Sequence, residues 1–91
     1  MNVHEAISQH SRKQHSHLQI FEQLDHDREL LIQEAVDHCL KGESFSTQRI
    51  NEVTARIIEH AKNGISPLRQ FVNEEMVRDY VDRLNKPQND V

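Results

Sequence analysis

Apolar residues in the first part of the chain recur at alternating intervals of three and four residues. Positions at these intervals share one side of a helix, and most of them are apolar. No glycine or proline occurs before Gly42, and the lysine just before it suits the negative end of a helix. The pattern therefore predicts helix 1 over residues 3–41. The alternative is a break near residues 24–27, because Asp25 could cap a second segment.

The segment that follows has the start and stop signals of a second helix. Ser46 is a cap candidate, and Phe45 with Ile50 can form a hydrophobic staple across the start of the helix. An Asn-Gly pair at residues 63–64 is a stop signal. These features predict helix 2 over residues 47–63. Its apolar stripe is formed by Ile50, Val53, Ile57 and Ala61.

A short turn and a third helix are predicted after helix 2. The Ser-Pro pair at residues 66–67 is a cap followed by a proline at a first helical position, which predicts a single helical turn over residues 67–71. Asn73 is another cap candidate, and helix 3 is predicted over residues 74–85. Residues 86–91 are expected to form a flexible tail.

Together these elements predict an all-α fold, in which a long N-terminal helix is followed by two shorter helices folded back on it. We expect one small helical bundle, a single domain over residues 1–85. Its core is predicted from the apolar positions that would face one another: Leu24, Leu31, Ile32, Ala35, Val36, Cys39, Phe45, Ile50, Val53, Ile57, Ala61, Leu68, Phe71, Val77, Tyr80, Val81 and Leu84.

The predicted helices 2 and 3 are too short to cover the N-terminal part of helix 1. Helix 1 would be roughly 58 Å long, against roughly 25 Å for helix 2 and 18 Å for helix 3. With 35% hydrophobic and 4% aromatic residues, a 91-residue monomer would also have a thin core. We therefore expect a homodimer; the alternative is an arm that frays in solution. The expected dimer seam comprises Ile7, His10, Gln14, His17, Leu18, Phe21 and Leu24.

Seven histidines in 91 residues raise the question of a metal site. Two ligands on one helix need a spacing of three or four, and no pair of histidines has that spacing. We therefore expect no metal and no other cofactor. His10 and His17 do lie in the expected dimer seam, where protonation would loosen a contact with a partner helix. A pH- or metal-responsive helical dimer is accordingly one alternative function.

The charge pattern argues against a nucleic-acid partner. The net charge is −4, with four Lys/Arg and eight Asp/Glu in residues 1–43 and seven of each kind in residues 44–91. A protein that binds the phosphate backbone needs a basic excess. A DNA-binding regulatory protein with a helix-turn-helix-like C-terminal half is nevertheless kept as the other alternative function. The arginines that would contact DNA are Arg49, Arg56, Arg69, Arg78 and Arg83.

No catalytic residue is expected, because the sequence has neither a glycine-rich phosphate loop nor a nucleophile elbow. The one cysteine, Cys39, falls on the apolar stripe of helix 1, where packing explains it. The sequence has no apolar run long enough for a membrane span and no apolar N-terminal leader, so we expect a cytoplasmic protein. The favoured function is a non-enzymatic helical protein-interaction module that acts as a homodimer and has a further, unidentified protein partner.

Three stretches in the second half carry a family resemblance: FSTQRINEVTARI, AKNGISPLRQFV and EEMVRDYV. With these stretches, and from His4 and the ISQHS segment through Tyr80, the chain resembles the YpbS-like proteins, a small family from Bacillus-type bacteria. The function of that family is unknown. The resemblance therefore implies a cytoplasmic bacterial protein and assigns no catalytic residue.

Overall fold

The computed structural model describes the backbone of residues 3–86 and the side chains of residues 11–86. Three helices make up the fold: α1 (Val3–Leu40), α2 (Gln48–Ala61) and α3 (Glu74–Asn85). No strand occurs within residues 3–86, so the predicted all-α class is confirmed. Helix α1 runs without interruption through residues 24–27, and the alternative with a break there is therefore wrong.

Helix α1 ends in the left-handed turn that its glycine makes available. Gly42 has a φ of 73°, a conformation that side chains with a Cβ rarely adopt. The Glu43 N–H donates to the His38 carbonyl at 2.8 Å, and the Gly42 N–H donates to the Cys39 carbonyl at 3.1 Å. This pair of hydrogen bonds is the Schellman motif, which satisfies carbonyl groups at the end of a helix.

Of the two predicted caps, Asn73 forms, whereas the cap position of α2 is occupied by Thr47, which makes no side-chain cap hydrogen bond. The Ser46 hydroxyl, one residue earlier, accepts the N–H of Gln48, the first residue of α2, at 3.1 Å. Asn73 Oδ1 accepts the Met76 N–H at 2.8 Å, and two glutamates occupy the first turn of α3 near its positive end. Helix α2 ends at Ala61, two residues before its predicted end at Asn63.

The helical turn predicted over residues 67–71 is wrong, since residues 66–73 contain no helix. The end of α2 lies beside His17, whereas the start of α3 shares a cavity with Cys39. These two points are roughly 33 Å apart along α1. Residues 62–73, the return segment, connect them and span at most about 40 Å when extended. A helical turn would shorten the segment too much for it to reach α3.

The core is small and centres on the C-terminal half of α1. The predicted core residues Ile57 of α2 and Ala35, Val36, Ile50, Val77 and Val81 of the main cluster are buried, as is Phe21. Other predicted core residues, Leu31, Ile32, Cys39 and Phe45, are partly buried and pack against this cluster.

Four predicted core residues are exposed instead: Leu68 (65%), Phe71 (55%), Tyr80 (51%) and Leu84 (53%). Leu68 and Phe71 lie on the return segment, which is not helical, so the helical register behind their assignment does not apply. Tyr80 and Leu84 are on α3, which packs on α1, and the α3 side chains that join Ile50 of α2 in the core cluster are Val77 and Val81. No third element therefore covers the flank of α3 that carries them.

The molecule is a single layer of helices. Its extents are 61 × 35 × 16 Å. Helix α2 lies beside α1 residues from His17 to Ala35, and α3 lies beside α1 residues from Glu29 to Leu40. Most helical domains bury their apolar faces between two or more layers, and the thin shape of this molecule accompanies a small number of buried side chains.

Candidate functional site

The structure brings part of the expected dimer seam against the chain's own C-terminal half. Gln14 Nε2 donates to the Ile65 carbonyl at 2.7 Å, and Phe21 is buried. Leu18 and Leu24 are half-buried. The return from α2 to α3 thus reaches the part of the seam that begins at Gln14, which the helix lengths alone left without a cover. His17 is half-buried, and the side chains of the other two seam residues, Ile7 and His10, lie outside the described residues.

Two histidines that are 43 residues apart form the most specific contact at this end of the molecule. The rings of His17 and His60 stack with their centroids 3.8 Å apart and their planes 19° from parallel. His60 Nε2 lies 2.7 Å from the His17 carbonyl oxygen. A carbonyl oxygen only accepts, so His60 Nε2 carries a proton and donates it. This contact fastens the last turn of α2 to α1.

Gly64 closes the other side of the His17 ring. A Cβ at position 64 would lie 2.9 Å from His17 Cδ2, closer than side chains tolerate. The ring is thus held between an imidazole and a glycine backbone. His17 Nε2 and the Ser66 hydroxyl are buried and have no hydrogen-bond partner among the described residues.

The histidine pair does not form a metal site by itself. The lone pairs of an imidazole lie in the ring plane, so two nearly parallel rings do not direct them at one ion. Among the described residues, no group of three or more His, Cys, Asp and Glu side chains could hold a metal. The stack is a packing contact that the spacing of histidines in the sequence could not reveal.

Ionic and polar contacts hold the return segment along α1. Arg69 donates to both carboxylate oxygens of Asp25, at 2.9 and 3.2 Å, and its guanidinium lies 5.1 Å from the centre of the Phe21 ring. Arg28 donates to the Gln70 carbonyl and to the Thr54 hydroxyl, both at 2.9 Å. These contacts join three parts of the chain.

Asn51 holds the end of the return segment to α2. Its side-chain amide donates to the Val72 carbonyl at 2.8 Å, and its side-chain oxygen accepts the Val72 N–H at 2.7 Å. Both main-chain groups of Val72 are therefore satisfied by one side chain, much as a neighbouring strand would satisfy them.

An open groove runs between α1 and α3 at the other end of the molecule. Its volume is about 390 Å³. Its apolar lining comprises Ile32, Val36, Leu40, Tyr80 and Leu84, and its polar lining comprises Glu29, Gln33 and Asp37. Leu40, Tyr80 and Leu84 are each about half exposed. Large apolar side chains of both helices are therefore exposed together at this groove.

The arginines that could contact DNA do not form one basic surface. Arg69 pairs with Asp25, and Arg78 pairs with Glu74 at 3.1 Å. Arg49 and Arg56 line a groove between α1 and α2 whose other lining residues include three carboxylates, Asp27, Glu34 and Glu52. Opposite charges are thus interspersed at these positions, as the sequence predicts.

The described residues define a three-helix, all-α protein with a long first helix and a non-helical return segment. No described helix is long and apolar enough to cross a membrane. The chain belongs to the family described as "protein of unknown function (DUF2533)", whose model matches residues 1–83. It is 50% identical over 82 residues to the uncharacterized protein YpbS of Bacillus subtilis (strain 168), covering 90% of this chain and 96% of that protein. No solved structure matches the chain. The family resemblance is therefore confirmed.

Proposed function

We propose that this chain is a non-enzymatic helical protein-interaction module that acts as a homodimer in the bacterial cytoplasm. The observation that carries the proposal is the imbalance between exposed and buried apolar side chains. Among residues 11–86, nine large hydrophobic residues are exposed, whereas seven hydrophobic residues form the buried core. Large contiguous apolar surface on a small protein is typical of an interaction site.

The shape of the molecule supports self-association. A layer only 16 Å thick has no second layer to bury its broad faces. A second copy of the chain would supply that layer, and two-fold homodimers are the commonest oligomers of such proteins.

The use made of the two histidines supports a non-enzymatic role. His60 donates its Nε2 proton to a main-chain carbonyl, and the His17 ring is enclosed between His60 and Gly64. A general base needs a ring nitrogen within reach of a substrate proton. Here the rings are engaged in holding α2 and the return segment on α1.

Light scattering and sedimentation over a wide concentration range test the proposal. We expect a mass of twice the 10.7 kDa chain at micromolar concentrations and above. A monomer at every concentration would overturn the homodimer.

A further inference from the structure

Four exposed apolar residues of α1 and α3 lie at or beside one groove. Leu40 of α1 and Tyr80 and Leu84 of α3 line the same groove. Met76 lies one turn before Tyr80 on α3 and is also exposed. We name these four residues the α1–α3 face. An apolar helix flank beside an open apolar groove is the arrangement in which one helix packs into the groove of another.

We propose that the α1–α3 face is the surface on which a second copy of this chain docks, with α3 of each copy seated in the groove of the other. The result is a four-helix arrangement of two α1 and two α3 helices about a two-fold axis. This inference rests on the proposed homodimer and assigns its interface.

Charge is the first argument for a second copy as the occupant. Glu29 and Asp37 line the α1 side of the groove, and Arg83 lies next to Leu84 and one turn after Asp79 on α3. Arg83, Glu29 and Asp37 make no salt bridge within residues 11–86. A two-fold contact that places α3 in the partner's groove brings each Arg83 towards the acidic side of the other copy, so the face is complementary to itself.

The exposed area of the chain and the contacts already made by the N-terminal seam also favour a second copy at the α1–α3 face. A standard interface buries about 800 Å² per partner, and the chain exposes 7221 Å² in total. An interface of that size would use about a ninth of the exposed surface of the chain. The expected seam at the N-terminal part of α1 is less available, because Gln14, His17 and Phe21 already contact residues of the same chain.

The first experiment compares Leu84→Glu with Leu30→Glu in the full chain. Both leucines are large, about half exposed and helical, but Leu30 lines the groove between α1 and α2. We expect Leu84→Glu to raise the dimer dissociation constant about tenfold or more, and Leu30→Glu to change it less than about twofold. Circular dichroism checks that each variant keeps its helices.

The second experiment uses charge reversal and does not depend on a destabilising substitution in the groove. Arg83→Glu alone, and Glu29→Lys with Asp37→Lys, should each weaken self-association because like charges then face each other. When the two variants are mixed, opposite charges meet at both contacts, and we expect a heterodimer at least as stable as the wild-type dimer. A mere folding defect cannot be repaired by mixing.

The outcomes separate this inference from the homodimer itself. A wild-type chain that is monomeric throughout overturns both. A wild-type dimer that Leu84→Glu and the charge reversals leave unchanged overturns the α1–α3 face alone, and in that case loss of the dimer in Leu30→Glu would place the interface between α1 and α2.

Discussion

Gly64 illustrates how a single residue permits two elements to approach closely. Its backbone lies against the His17 ring, and a Cβ there would be 2.9 Å from Cδ2 of that ring. Because His60 stacks on the ring's other face, the ring cannot move aside freely. The space for a side chain at position 64 is therefore set by His17.

The substitution Gly64→Ala should lower the free energy of unfolding by about 1–3 kcal/mol, the usual cost of overpacking. In a His17→Ala background the same substitution should cost much less, because the ring that it would contact is gone. Urea denaturation of the four chains of this double-mutant cycle measures the coupling. Equal costs in the two backgrounds would show that the ring is not the obstacle.

The histidine stack itself has a measurable contribution to stability. His60→Ala removes a hydrogen bond of 2.7 Å and a stacked ring, and we expect a loss of about 1–2 kcal/mol in the free energy of unfolding. His15→Ala is the matched control, since His15 is exposed on α1, and its effect should stay within about 0.5 kcal/mol. Thermal or urea unfolding distinguishes the two, and equal effects would contradict a specific role of the stack.

At the scale of elements, the helices were predictable from the sequence and the return segment was not. Helix periodicity and the cap at Asn73 are local signals, and both are confirmed, while α2 begins one residue later than the predicted cap at Ser46 implies. The return segment depends instead on contacts between residues more than 20 positions apart, such as those of Asn51 and Asp25. A local Ser-Pro signal predicted a helical turn there, but the distance between α2 and α3 determines the conformation.

Features of the candidate site that the sequence did not reveal also depend on tertiary packing. Spacing along one helix concerns only ligands on that helix, so it carries no information about His17 and His60, which meet through tertiary packing. Tyr80 and Leu84 have the helical spacing of core residues. Whether such a stripe is covered depends on a neighbouring element, and among the described residues α3 buries Val77 and Val81 in the core while Tyr80 and Leu84 stay exposed.

Asn51 should be the most sensitive polar residue of the return segment. Asn51→Ala leaves both main-chain groups of Val72 without their partner, and we expect a loss of about 1–3 kcal/mol. Gln48→Ala, which removes only an exposed contact with Glu52 at 3.4 Å, should have little effect. Hydrogen exchange gives a local readout: the Val72 amide should exchange faster in Asn51→Ala, and unchanged protection there would contradict the assignment.

At the scale of the whole molecule, a one-layer protein should depend on its concentration for stability. If two copies cover each other's α1–α3 face, association stabilises the folded state by mass action. We expect the thermal midpoint of the wild-type chain to rise with concentration, and that of Leu84→Glu to stay nearly constant. A midpoint independent of concentration in both chains would argue against coupled folding and association. Scanning calorimetry over a hundredfold range in concentration provides the measurement.

The extended return segment also limits how the length of this chain can change. Its twelve residues, 62–73, reach at most about 40 Å, and the ends they join are roughly 33 Å apart along α1. Deleting three residues would reduce the reach to about 30 Å, so α3 could no longer occupy its place on α1. Inserting three residues needs only a small bulge in the chain. Relatives with this architecture should therefore accept insertions between α2 and α3 far more readily than deletions.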